Sequence, residues 1–265
     1  MNLIRMNLYR FIKTKAVYVI LIIAALLAGF LTLDMTSEEG QALNQEIMQQ
    51  EGIDAEDTDG ITIGLNIITS ASEMTGELVG SGMILVLIAI FVALFSNAER
   101  AGGYLKNLNS CAGTKAQIFL AKTVPVMLFA FVILWIIPLV SVACGLQGNG
   151  LLTKEFFLYM AVQWLIHTAY GIFILMVMEI SRSLVAGILI GIFAGMGVGV
   201  MLIQLIENIV IGQGIISGHM LVTMARMLMP ENIVSSLLPA LVTGVISLIM
   251  YSVIGALTFQ KRDIY

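Results

Sequence analysis

Long apolar runs alternate with short polar segments along this chain. Six runs stand out: Ala16–Leu33, Leu78–Ser96, Lys122–Gly145, Glu155–Met178, Leu184–Ile206 and Leu238–Phe259. The shortest holds 18 residues, a helix about 27 Å long against a hydrocarbon layer of about 30 Å. A helix satisfies its own backbone hydrogen bonds where there is no water. The pattern therefore predicts an all-α, polytopic membrane protein with six transmembrane helices in one domain. The first run follows a basic segment, as a signal peptide would. It is longer than a signal h-region and lacks a clear A-x-A site, so it reads as a retained anchor.

Other segments carry weaker periodicity. Over residues 1–15, Met1, Ile4, Leu8, Phe11 and Ile12 share one helical face, with Asn2, Arg5, Lys13 and Thr14 turned away and Arg10 near the edge. This predicts an amphipathic helix lying on the inner membrane surface, a frayed tail being the alternative. Residues 207–237 mix apolar positions with Gly212, Gly214, Gly218, Pro230 and Glu231, and read as short helices at or dipping into the outer face. No internal repeat is visible, which leaves an inverted-repeat carrier without support.

Composition agrees with a lipid-embedded chain: 59% hydrophobic, 11% charged, mean hydropathy +0.98. Charge then supplies orientation. Arg5, Arg10, Lys13, Lys15, Arg100, Lys106, Lys115, Lys122, Arg182, Lys261 and Arg262 fall on one side, and only Lys154 and Arg226 on the other. Residues 34–77 hold eleven acids and no Lys or Arg. Both termini are therefore expected in the cytoplasm, with 34–77 an acidic, solvated outer loop able to attract cations. Cys111 and Cys144 are placed on opposite sides and cannot pair.

Most catalytic chemistries find no residues here. There is no Gly-Lys pair and hence no Walker A loop, and neither His167 nor His219 begins an H-E-x-x-H motif. Asp54–Gly60 hints at a calcium loop, but its register puts Ala55 and Asn66 where carboxylates are required. No basic cluster with interleaved aromatics points to nucleic acid. The chain is thus expected to bind no metal or cofactor and not to be an enzyme. An intramembrane protease would need acidic partners for His167.

Five features remain as candidates. Gly187, Gly191, Gly195 and Gly199 recur every four residues, a smooth strip for a helix seam, either within one subunit or between two. Gln163 and His167 lie one turn apart and would line a substrate route or make an interhelical hydrogen bond. Glu179 and Arg182 are spaced for an ion pair at an inner turn, as a capping contact or a partner contact. Pro125 and Pro138 are expected to kink the third span. Residues 97–121 are read as a cytoplasmic segment. Within it, a short helix would bear Tyr104, Leu105 and Leu108 rimmed by Glu99, Arg100 and Lys106, an apolar centre with a charged rim suited to a protein partner.

That segment resembles the permease subunits of type-2 ABC transporters. The matching residues are Glu99, Arg100, Gly103, Lys106, Asn107 and Leu108, then Gly113 and Lys115, then Leu120, Ala121 and Lys122. The ending Phe259–Ile264 is similar to the family's usual one, and the order of segments matches over the whole chain. Gly102-Gly103-Tyr104 departs from the family, where a Thr is often seen. The resemblance implies a partner ATP-binding subunit carrying ATP and Mg, and a second permease, identical or paralogous. It implies coupling through Glu99, Arg100, Gly103, Tyr104 and Lys106. It also implies ATP-driven export across a bacterial, Gram-positive cell membrane, of an antimicrobial peptide or similar amphipathic compound. A stand-alone carrier or a toxin-immunity protein is the alternative; the span centres hold no Asp or Glu for ion coupling.

Overall fold

The computed structural model describes residues 3–37, 68, 70–102, 114–210 and 215–261. Gly103, Tyr104, Lys106 and Cys111, and the stretch 54–60, lie outside the described residues. Among the described residues every regular element is a helix. A surface helix α1 (Leu3–Lys13) is followed by α2 (Lys15–Thr36), a short α3 (Ala71–Gly80), and α4 (Met83–Ala101). Then come α5 (Lys115–Ala143), α6 (Lys154–Ser181), α7 (Leu184–Gly195), α8 (Val198–Val210), α9 (Ile215–Gly218), α10 (Leu221–Met227) and α11 (Ile233–Gln260).

The protein is an all-α polytopic membrane protein. Helices α2, α4, α5, α6 and α11 are each long and apolar enough to cross a membrane. The fifth expected span is not one straight helix. Helices α7 and α8 meet at 59°, with Gly197 between them at φ +80°, a backbone conformation that costs an L side chain energy. Counted together they complete six spans.

Helix α6 is the axis of the bundle. Of its apolar window 72% is buried, against 28% for α2 and 17% for α11, whose outer faces are left to lipid. Helix α11 runs along α6, while α4 packs against α7, α6 and α2. Stacked rings join the layers: Phe91 of α4 lies 3.9 Å from Phe129 of α5 and 5.6 Å from Phe95, and Phe11 of α1 meets Phe91 edge-on at 5.9 Å. Helix α5 continues unbroken through Pro125 and Pro138.

Several boundaries differ from the hydropathy reading, because a helix ends where its caps are rather than where apolarity stops; the last span, for one, starts at Ile233 rather than Leu238. The second span does not begin at Leu78. Ser70 and Glu73 form a capping box, with Ser70 Oγ accepting from Glu73 N at 3.3 Å and Ser70 N donating to Glu73 Oε2 at 3.2 Å. The helix so started ends at Gly80, and Ser81–Gly82 turn the chain into α4. Residues 71–77, expected in a solvated acidic loop, are thus helical, with Ala71, Met74, Thr75 and Gly76 buried. On the opposite end α4 runs on to Ala101, and α5 starts at Lys115, where Thr114 Oγ1 accepts from Gln117 N at 3.4 Å.

The surface helix is also turned from its expected pose. Ile4 and Ile12 remain exposed, but Phe11 packs inward and Asn7 is the one fully buried residue of α1. Beyond the break, Glu207 of α8 is 3% exposed and accepts from the backbone of Ile216 and, at 2.8 Å, of Ser217. That carboxylate fixes α9 against the end of α8.

Candidate functional site

The described part of the bundle carries its main charged cluster at the end nearest the termini. Glu99 comes from the last turn of α4, Lys122 from the third turn of α5, and Glu179 from the last turn of α6. Their side chains are at most 1% exposed. Lys122 Nζ lies 2.8 Å from Glu99 Oε2 and 3.0 Å from Glu179 Oε1, so one ammonium bridges two carboxylates on different helices. Arg10 of α1 places Nη1 3.4 Å from Glu99 Oε1, and Arg100 places Nη2 3.3 Å from Glu179 Oε2.

Neutral groups complete the cluster. Ser96 Oγ donates to Glu179 Oε1 at 3.4 Å, Arg10 donates to Asn7 Oδ1 at 3.4 Å, and Arg100 donates to the carbonyl of Met178. Two rings cover the cations: Phe95 sits 5.1 Å from the Arg10 guanidinium, and Phe259 of α11 sits 4.7 Å from Lys122 Nζ. At such distances a ring face attracts a cation. The cluster therefore ties α1, α4, α5, α6 and α11 together at one level.

Burial sets its energetics. Charges out of water attract strongly, but each has lost its hydration, so the assembled network contributes less than its short distances suggest. Losing one partner is another matter. Without Lys122, two buried carboxylates would face each other with no ammonium between them, at a cost of about 3–5 kcal/mol. The Glu99 carboxylate is held by charge, with no well-aligned hydrogen bond, and Arg100 Nη1 and Asn7 Nδ2 are buried without hydrogen-bond partners among the described residues. A polar cluster left partly unsatisfied in this way is costly to keep in one arrangement.

This geometry corrects the reading of Glu99 and Arg100 as rim residues of an exposed docking helix. Glu99 is 0% exposed and the Arg100 side chain 18%; both point into the bundle because Lys122 and Glu179 are there. Of the other residues assigned to coupling, Gly103, Tyr104 and Lys106 lie outside the described residues. The Glu179–Arg182 pair does not form. Arg182 is an exposed, left-handed cap of α6 with φ 56°, and Glu179 turns inward to Lys122 and Arg100.

The glycine strip packs within the subunit. A Cβ on Gly187 would sit 2.1 Å from Met178 Sδ, one on Gly191 2.4 Å from Ala89 Cβ, and one on Gly195 3.1 Å from Val86 Cγ2. Those contacts seat α7 on α4 and α6. Gly199 falls past the bend and touches none of them. Gln163 and His167 are fully buried. Gln163 Nε2 donates to the Ala225 carbonyl of α10 at 2.9 Å, and His167 Nδ1 lies 2.8 Å from its own helix at the Gln163 carbonyl. Gln163 Oε1 and His167 Nε2 have no partner among the described residues. Gln163 thus braces α10 on α6, while His167, among the described residues, bonds only within α6.

Sequence reasoning missed Lys122 and Glu179 as partners, along with Asn7 and Arg10. A signal was present: Glu99, Lys122 and Glu179 sit beside or inside the inner ends of three consecutive spans, with complementary signs. Among the described residues no cluster of His, Cys, Asp and Glu is arranged to hold a metal ion. Comparison with known proteins finds no matching family, curated relative or solved structure.

Proposed function

We propose that this chain is the membrane-spanning subunit of a type-2 ABC exporter. It pairs with a second permease and with separate ATP-binding subunits that carry ATP and Mg. Its cargo is an amphipathic compound of the antimicrobial-peptide kind, moved across a bacterial, Gram-positive cell membrane. The reading rests on the resemblance over residues 99–122 and is supported by one structural observation. The helices on either side of residues 103–113, α4 and α5, are cross-braced at their ends to α1 and α6 through Glu99, Lys122 and Glu179. A force applied to the connecting residues passes into the whole bundle rather than bending one helix.

The test is reconstitution in liposomes with an ATP-binding subunit that co-purifies with the chain, using bacitracin as probe. Bacitracin is expected to stimulate ATP hydrolysis in the complex, and Lys106→Glu to abolish the stimulation while the basal rate persists. Movement of bacitracin by the chain alone, with no ATPase present, overturns the proposal and favours a stand-alone carrier.

A further inference from the structure

At the end of the bundle opposite the charge cluster, Arg226 stands at the break between α7 and α8. Its Nη2 donates to the Gly195 carbonyl at 3.4 Å, a long contact that caps the negative end of α7. Two glycines make room for it. A Cβ on Gly197 would lie 2.9 Å from Nη1, and one on Gly82 3.1 Å from Nη2. Both have positive φ, +80° and +84°. Gly82 also lets the turn before α4 touch α7, since its Cβ would lie 2.4 Å from the Gly195 oxygen.

Arg226 has no carboxylate partner among the described residues. A guanidinium carries five N–H donors, and only one makes a hydrogen bond here. The cation opens instead on a cavity of about 250 Å³. Its other walls include Leu27 of α2, Met83, Val86 and Leu87 of α4, and Met196 at the break. So α2, α4 and the broken span line an apolar slot beside an exposed arginine that has no counter-ion among the described residues. Leu27 and Leu87 belong to helices long enough to cross the membrane, which sets the slot against the acyl chains.

We propose that this slot binds an anionic phospholipid, its phosphate on Arg226 and the first part of one acyl chain along Leu27, Leu87 and Met196. Charge complementarity and apolar walls are both needed. A free anion would use the arginine and ignore the slot; a neutral lipid would do the reverse. Bound there, a lipid would span the hinge at Gly197 and hold α7 and α8 in their bent arrangement.

Full-length protein in detergent is titrated with phosphatidylglycerol, with phosphatidylcholine and with inorganic phosphate. Binding is read by native mass spectrometry and by thermal shift. Phosphatidylglycerol is expected to bind most tightly. Arg226→Gln should weaken it about tenfold, the loss of one charge-assisted contact, and leave phosphatidylcholine unchanged, with Arg226→Lys in between. Met196→Trp, which fills the slot but keeps the cation, should also weaken phosphatidylglycerol, and it decides the matter if Arg226→Gln does not fold. Equal binding of the two lipids overturns the proposal. So does phosphatidylglycerol binding that survives Met196→Trp, or its displacement by inorganic phosphate at matching concentration, which would mark a free-anion site.

Discussion

Lys122 Nζ and Glu179 Oε1 lie 3.0 Å apart between α5 and α6, with both side chains 1% exposed. The same ammonium also reaches Glu99 of α4 at 2.8 Å. One lysine thus neutralises two acids on two other helices, and its removal cannot be local in effect. Lys122→Met is expected to destabilise the protein by about 3–5 kcal/mol. Lys122→Met combined with Glu179→Gln should be less damaging than the single change, because one buried charge goes with the other. Thermal unfolding in detergent measures both, and a double variant no better than the single one would contradict a charge origin.

Arg10 is the tie between the surface helix and the bundle. Its contacts to Glu99 and Asn7 hold Asn7 buried at 0% exposure. Asn7→Cys is therefore expected to resist a water-soluble maleimide in the otherwise native chain and to label readily once Arg10→Glu is added. Rapid labelling in both backgrounds would show that α1 is held by its apolar contacts alone.

Gly191 brings α7 onto α4 at a distance that no side chain permits. Gly191→Ala would place a methyl 2.4 Å from Ala89 Cβ, an overpacking expected to cost about 1–3 kcal/mol. Ala89→Gly should restore most of that loss, whereas Gly199→Ala should be silent, since nothing lies within 4 Å of Gly199. Unfolding midpoints of the three variants give the comparison.

Glu77 lies on α3, outside the membrane-crossing helices, beside Ser72, Glu73, Met229, Pro230 and Glu231 in a cavity of about 350 Å³. Burial holds its carboxyl above the ordinary glutamate value. The folded protein therefore keeps this proton more tightly than the unfolded chain does. Stability is expected to fall as pH rises from that ordinary value through the folded-state value, and Glu77→Gln should flatten that slope. A pH series of unfolding midpoints checks the sign.

The all-helical, membrane-crossing character of the chain was legible in its apolar runs, because lipid admits few backbone solutions. The glycine repeat likewise announced a close helix contact, but periodicity alone left open whether the partner lay in the same chain. Met178, Ala89 and Val86 answer that, and Gly199 drops out because the helix turns before reaching it. The bend itself was hidden inside a continuous apolar run, since hydropathy does not register a positive φ at Gly197. The charged site was half visible. The pattern places Glu99 and Arg100 at the right end of the bundle but gives no sign of their burial, because sequence distance separates Glu99 from Lys122 and Glu179. Amino-acid type determined that this protein lives in lipid and which way its charges sort. Only packing decided which charges meet, because the helices bring Glu99 and Glu179 each within 3.0 Å of the Lys122 ammonium in a space from which water is excluded.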